Sequence, residues 1–405
     1  MKTVILRKLL VLLAAITIPA HAAGTLIVVS NNSDVQRHEL IELNLDALRK
    51  HAGLAESETF LIKNTLGQEL PYQLSHDGQL LMEVSVQPHA KATYQVMKGT
   101  PQPMRTYVCG KMYPLRKDDI AWENDRCAYR VYGPALQRTG EKSYGIDVWV
   151  KNVPYPVVEK RYEIDHKGNL LADSLKSVGL EMLNDSVDKA TSFHLDHGEG
   201  MDAYAVGPTL GCGTPALMNG RTMIFPYCYE RYRILDNGPL RFTVELDYAP
   251  NKDGVVEHRR ISLDKGAHFN RMTVWYEHIR QPLTLATGVV LHKTGDLKVG
   301  SDYICYADPT DRPDVHNSQI YVGVLFPEGA NKTFVTEDKS HAIGMIDNYK
   351  GKEYTYYFGA AWSNYDIRNF AQWTLETESF LQALSQPLTV TLRCRNGEVV
   401  KSPLP

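Results

Sequence analysis

The stretch Ser192–Tyr204, SFHLDHGEGMDAY, holds two histidines, three carboxylates and a tyrosine. A histidine beside Asp196, Glu199 or Asp202 would have its tautomer and proton affinity set by a carboxylate, as a general acid or base requires. The same residues could hold a metal through histidine plus carboxylate, or form a solvated loop. The HExxH zinc pattern and the calcium-loop pattern are both missing, so no metal ligand is assigned. His194 and His197 have helical spacing, but Gly198 and Gly200 argue against a helix. In an extended chain His194 and Asp196 share one face and His197 takes the other. Both histidines therefore reach one pocket only if the chain turns between them. His197 is the favoured acid/base residue, because Gly198 lets a ligand approach closely.

A second cluster is RKDDIAWENDRCAYRVYGPAL, Arg116–Leu136. Trp122 next to Glu123, Asn124, Asp125 and Arg126 offers an apolar platform with charged hydrogen-bonding partners, which suits a sugar ring. The alternative is a charged loop with Trp122 plugging the core. Trp275 in TVWYEHI, His292 at the end of an apolar strand, and Trp362 and Arg368 in GAAWSNYDIRN are further candidate binding residues. Arg368 could meet a substrate carboxylate bidentately, or pair with Asp366 or Glu376. No G-x-S-x-G elbow, phosphate loop or dinucleotide fingerprint occurs. The glycine-rich VGPTLGCGTPAL reads as a bent loop around Cys212. No cofactor is predicted, although histidine and carboxylates leave a divalent cation open.

The elements that must position these residues are mostly strands. Residues 23–100 contain TLIVVS, FLIKN, LLMEVSVQP and TYQVMKG, separated by turn residues, which predicts a small β-rich sandwich. LIELNL reads as a strand followed by a short turn of helix. TPQPM, residues 100–104, reads as a linker, and residues 101–405 form the second unit. Its alternating segments, such as RFTVELDYA and HFNRMTVWYEHI, predict a large two-sheet antiparallel structure. One helix stands out over Asn369–Gln386, with Asn369 as N-cap and Pro387 as stop. Ser177–Ala190 is open between a short helix and a loop. PLTVTLRCR reads as a closing strand.

Residues 1–22 carry Lys2, Arg7 and Lys8, an apolar run from Leu9 to Ile18 and an Ala20-His21-Ala22 cleavage site. That pattern predicts a secretory signal peptide and a soluble, periplasmic mature chain. No other segment has the length of apolar sequence that would predict membrane insertion. A net charge of −3 and the absence of basic blocks exclude nucleic acid as a predicted partner. The 23 tyrosines against 10 phenylalanines favour amphipathic aromatic surface, which suits sugars. None of the six cysteines forms CxxC, and their pairing stays open.

Taken together, RKDDIAWENDRCAYRVYGPAL, GIDVWVKNVPYPVVEKRY, HLDHGEGMDAYAVG, LGCGTPAL, NGPLRFTVELDY and YYFGAAWSNYDI resemble the bacterial family catalogued as domain of unknown function 4861, over about Thr25 to Arg395. The resemblance implies an all-β, galactose-mutarotase-like supersandwich. It also implies genomic company with enzymes that degrade uronic-acid-rich polysaccharides. The leading expectation is then a lyase acting on an acidic oligosaccharide: Arg126 neutralising the uronate, His197 or His194 as base, Tyr204 as acid. Three alternatives remain: a hydrolase pairing Glu123 or Asp125 with Glu199 or Asp202, an aldose 1-epimerase-like mutarotase, and a non-catalytic glycan-binding protein.

Overall fold

The computed structural model describes residues 24–225, 227–292, 295–309, 317–393 and 399–401. The expected signal peptide and Cys394 lie outside them. The chain is all-β in class, with 44% strand and 17% helix, and the five sheets among the described residues are antiparallel.

The first sandwich is built from alternating apolar strands. Leu26–Ser30 buries Ile27 and Val29 against Leu43, Leu80 and Val84 of the facing three-stranded sheet. LIELNL folds as expected: strand Arg37–Asn44 runs into helix α1, Leu45–Ala52. Asn44 caps α1 by accepting from the Ala47 N–H at 2.9 Å, and Gly53 ends it in the left-handed conformation, φ +64°. The last strands, Thr389–Arg393 and Val399–Lys401, do not close the larger unit. They return to the first sheet, with Leu26 opposite Arg393 and Leu388, Val390 and Leu392 in its core. Residues 99–108 link the two units without regular secondary structure.

In the larger unit, two five-stranded sheets form one layer, bridged where Ile146 meets Gly211. An eight-stranded sheet forms the other, and side chains of all three sheets share one core. Helix α2, Pro134–Gln137, is a single turn. Two helices interrupt the strand pattern: α3, Val158–Ser177, and α4, Glu181–Thr191. The open segment Ser177–Ala190 thus holds α4, whereas α3 was not expected. VEKRYEIDHKGNLLADSLKS hides its helix because only its first turns meet a sheet, through Val158 and Tyr162, so no long apolar stripe is written into it. Helix α5, Phe370–Ser385, forms where expected, and the Asn369 side chain accepts from the Gln372 N–H at 2.9 Å. Its Trp373 packs on the outer face of the eight-stranded sheet, beside Phe269 and Cys305. The five described cysteines are free thiols.

Candidate functional site

Strand alternation sorts the charged residues of the first five-stranded sheet onto its outer face. On Asp119–Glu123, Ile120 and Trp122 point into the core, so Asp119 and Glu123 point out. Arg130, Asp147, Lys151 and Asp202 follow the same rule on neighbouring strands. Helix α3 and Phe193 cover this face, so its charges are buried and must be paired.

Two clusters result. Lys151, 1% exposed, donates to Glu123 at 2.6 Å and to the Asn124 carbonyl at 2.7 Å. Glu123 also accepts the Val157 and Val158 N–H groups at 2.9 Å, which anchors the start of α3. In the other cluster Arg130 donates to Asp147, to Asp202 at 2.9 Å and to the Tyr132 hydroxyl at 3.3 Å. Asp119 stands 3.9 Å from the same guanidinium, and burial pushes its carboxyl up to about 6.

The Ser192–Tyr204 segment does turn. Asp196 accepts the N–H groups of Gly198 and Gly200 at 2.8 and 3.0 Å. Both glycines have positive φ, and a Cβ at Gly200 would stand 2.0 Å from the Val150 carbonyl oxygen. His197 is exposed, with Nε2 2.9 Å from the Ser192 carbonyl. His194 lies over Asp202, its Nδ1 2.9 Å from the backbone oxygen and 3.7 Å from the carboxylate. Glu199 pairs with Lys160 at 2.9 Å and Tyr155 at 3.1 Å on the surface. Among the described residues no group of three or more His, Cys, Asp or Glu side chains is arranged to hold a metal.

After Asp202 the chain enters the sandwich interior at Tyr204. Its ring meets the His292 ring edge-on, with centroids 5.8 Å apart, and its buried hydroxyl has no hydrogen-bond partner among the described residues. His292 follows strand Leu283–Val290 of one layer, and Asp308 ends strand Tyr303–Asp308 of the other. Their side chains meet at 2.6 Å, Nδ1 to carboxylate, so the pair joins the two layers. The Tyr306 hydroxyl accepts the His292 N–H at 3.2 Å. Burial, then the nearby Cys212, Asp308 and Asp147, raises the Tyr204 phenol well above its usual range, so it keeps its proton. Next to this site His341 accepts the Leu210 N–H at Nε2, 3.2 Å away. Burial pushes His341 down to about 4, so it is neutral.

Several expected binding residues have other surroundings. Trp122 is not a platform: it is fully buried between Tyr129 and Phe242, and donates to Asn270 at 2.8 Å. Trp362 is likewise core, donating to the Asn317 carbonyl at 2.7 Å. Asn124 is buried and donates to the Asp264 and Ala267 carbonyls, and Asp125 accepts the Gly266 N–H. Arg126 pairs with Asp366, which with Glu376 flanks His268, away from the histidine segment. Arg368 is exposed and donates to the Ser363 carbonyl at 3.2 Å. Trp275 stacks on His258, 5.1 Å between centroids, on the outer face of the eight-stranded sheet. The structure thus brings together His194 with Asp202, and Tyr204 with His292. Sequence reading missed Arg130, Asp147, Asp308 and His341. Asp308 carried one signal, a lone carboxylate ending the apolar run YICYAD.

A protein of Formosa agariphila, "Uncharacterized protein P7", is 27% identical over 398 residues, covering 91% of this chain and 93% of that protein. Two solved Enterococcus faecalis structures are similar at a TM-score of 0.49. One is an alpha-mannosidase, at 10% identity over 94% of this chain and 47% of its own. The other is a glycosyl hydrolase family 38 protein, at 9% identity over 92% and 48%. The chain thus spans about half the length of these two. The sequence model described as Domain of unknown function (DUF4861) matches residues 29–390, and the chain belongs to that family.

Proposed function

We propose that the protein is an exported carbohydrate-active enzyme that cleaves uronic-acid-containing oligo- or polysaccharide by elimination, with His292 and Tyr204 as the proton-transfer pair. One observation carries this reading: a histidine fixed by Asp308 at 2.6 Å faces a buried, protonated tyrosine whose hydroxyl lacks a partner among the described residues. An Nδ1–H donated to Asp308 leaves the lone pair on Nε2, the form a general base needs. The base takes the C5 proton, the C5–H electrons form the C4–C5 double bond, and the C4–O bond breaks. Tyr204 supplies the proton to the departing oxygen. Arg130 is the cation tied to this pair, through Asp147, whose charge acts on Tyr204. Arg130 itself is buried beneath α3 and held by Asp147 and Asp202, and Arg126 is bound to Asp366. Hydrolysis has less support, because Glu123, Asp125 and Glu199 are engaged by lysines or backbone amides. Export rests on the first 22 residues, and no helix among the described residues is long and apolar enough to cross a membrane.

The test is incubation with pectic, alginate-like and glycosaminoglycan oligosaccharides, followed by mass spectrometry. Elimination gives fragments whose masses sum to the substrate, and hydrolysis adds one water. His292→Ala and Tyr204→Phe should each lower turnover by about 10²–10⁴-fold, while His197→Ala and Arg368→Ala leave it within a factor of two or so. Products carrying an added water, or full activity in His292→Ala, would overturn the reading.

A further inference from the structure

Beside this site stand three aromatic rings that the proton-transfer chemistry does not use. Phe225 packs one face on the small core of Leu210, Ala216, Ala286 and Ile343. Tyr144 stacks on Phe225, with centroids 5.5 Å apart and planes 14° from parallel. Tyr227 meets Tyr144 edge-on at 6.3 Å and is 73% exposed. The rings thus grade from core to solvent as one contiguous wall. The wall adjoins the candidate site: the Phe225 ring lies 6.3 Å from the ring of His341, and His341 pairs across the sheet with Val290, two residues before His292. Tyr144 is tied to the same neighbourhood by its backbone, whose N–H donates to the Gly207 carbonyl at 3.3 Å.

We infer that Tyr144, Phe225 and Tyr227 form a stacking subsite for a sugar ring remote from the scissile bond, so the substrate is an oligosaccharide longer than a disaccharide. A pyranose presents an apolar face of C–H groups and a polar rim. A tyrosine with one buried and one open side matches both, because its ring gives apolar contact while its hydroxyl stays wet. Phe225 needs no polar partner and serves as the rigid backing for Tyr144. The wall runs outward from His341 toward solvent, so it meets a unit beyond those at the reacting bond. Remote binding of this kind positions the reacting centre and makes turnover depend on chain length. The inference rests on the proposed carbohydrate activity and names the substrate size that this activity favours.

The experiment compares disaccharide and hexasaccharide fractions of polygalacturonate and of alginate, in turnover by the full chain and in calorimetric binding to the His292→Ala variant. Tyr227→Ala and Tyr144→Ala should each lower kcat/KM and affinity for the hexasaccharide about ten-fold, with disaccharide values unchanged. Tyr227→Phe, which keeps the ring, should retain the wild-type preference for length. Length-dependent binding lost in Tyr227→Ala, with no elimination product from any fraction, would uphold the subsite and overturn the reaction. Turnover with the same loss on both lengths, or with none, would overturn the subsite and leave the reaction standing. No binding of either hexasaccharide would overturn the subsite outright.

Discussion

Glu123 and Glu199 are both glutamates near the start of α3, yet their surroundings give them opposite weights. Glu123 is buried against Lys151 and two backbone N–H groups, while Glu199 pairs with Lys160, whose side chain is 59% exposed. Removing one partner of a buried pair strands the other charge. Lys151→Met should therefore destabilise the fold by about 3–5 kcal/mol, seen as a lower denaturation midpoint. Lys160→Met should stay within about 0.5 kcal/mol, since exposed pairs contribute little. The contrast also shows what the sequence could convey. The types in WENDR were legible as hydrogen-bonding and charged residues, but alternation alone could not say that a helix would cover them. Once α3 closes over that face, the charges serve packing. Tyr204 and His292 were legible individually. Their meeting was not, because it needs two strands far apart in sequence to end at the same place.

Helix α5 is joined to the eight-stranded sheet by a charged contact as well as by Trp373. His268, just before strand Phe269–Glu277, lies between Asp366 at 3.0 Å and Glu376 of α5 at 3.1 Å, with Arg126 on Asp366. Burial opposes its charge, but hydrogen bonds to the two carboxylates outweigh that and push it up to about 9. The folded value exceeds the unfolded one of about 6.5, so this stabilisation is complete below that pH and is lost as pH rises through 9. The melting temperature should fall between pH 7 and 10 more steeply in the natural protein than in His268→Gln, a comparison open to calorimetry. The α3–α4 pair depends instead on close approach. A Cβ at Gly168 would stand 1.9 Å from the Thr191 hydroxyl. Gly168→Val should loosen α4 and cost roughly 1–3 kcal/mol, with faster amide exchange confined to 158–191. Helix α5 was legible because it carries a cap, a stop and a core stripe. Helix α3 was not, since most of its length faces water and its apolar residues follow no single face.

At the scale of the molecule, the first sandwich is completed by the last strands and docked by polar contacts. The Gln73 side chain accepts the Leu240 and Arg241 N–H groups, Arg241 pairs with Glu42 at 2.5 Å, and Lys265 pairs with Glu83 at 2.6 Å. The all-β class was legible from alternation and turn residues. The destination of PLTVTLRCR was not, because a strand's own sequence says little about which distant edge it will pair with. A chain ending at Gln386 would lack Leu388, Val390 and Leu392, each contributing about 1.5–3 kcal/mol by burial. Limited proteolysis should then cleave residues 24–99 while the larger unit resists. The same pairing sets an order in time. Leu26 leaves the ribosome almost a whole chain before Arg393, its partner. Until Thr389–Arg393 has been made, the first strand has one edge open and must be kept from pairing wrongly. The larger unit can assemble first, and the N-terminal sandwich becomes the last part of the molecule to mature.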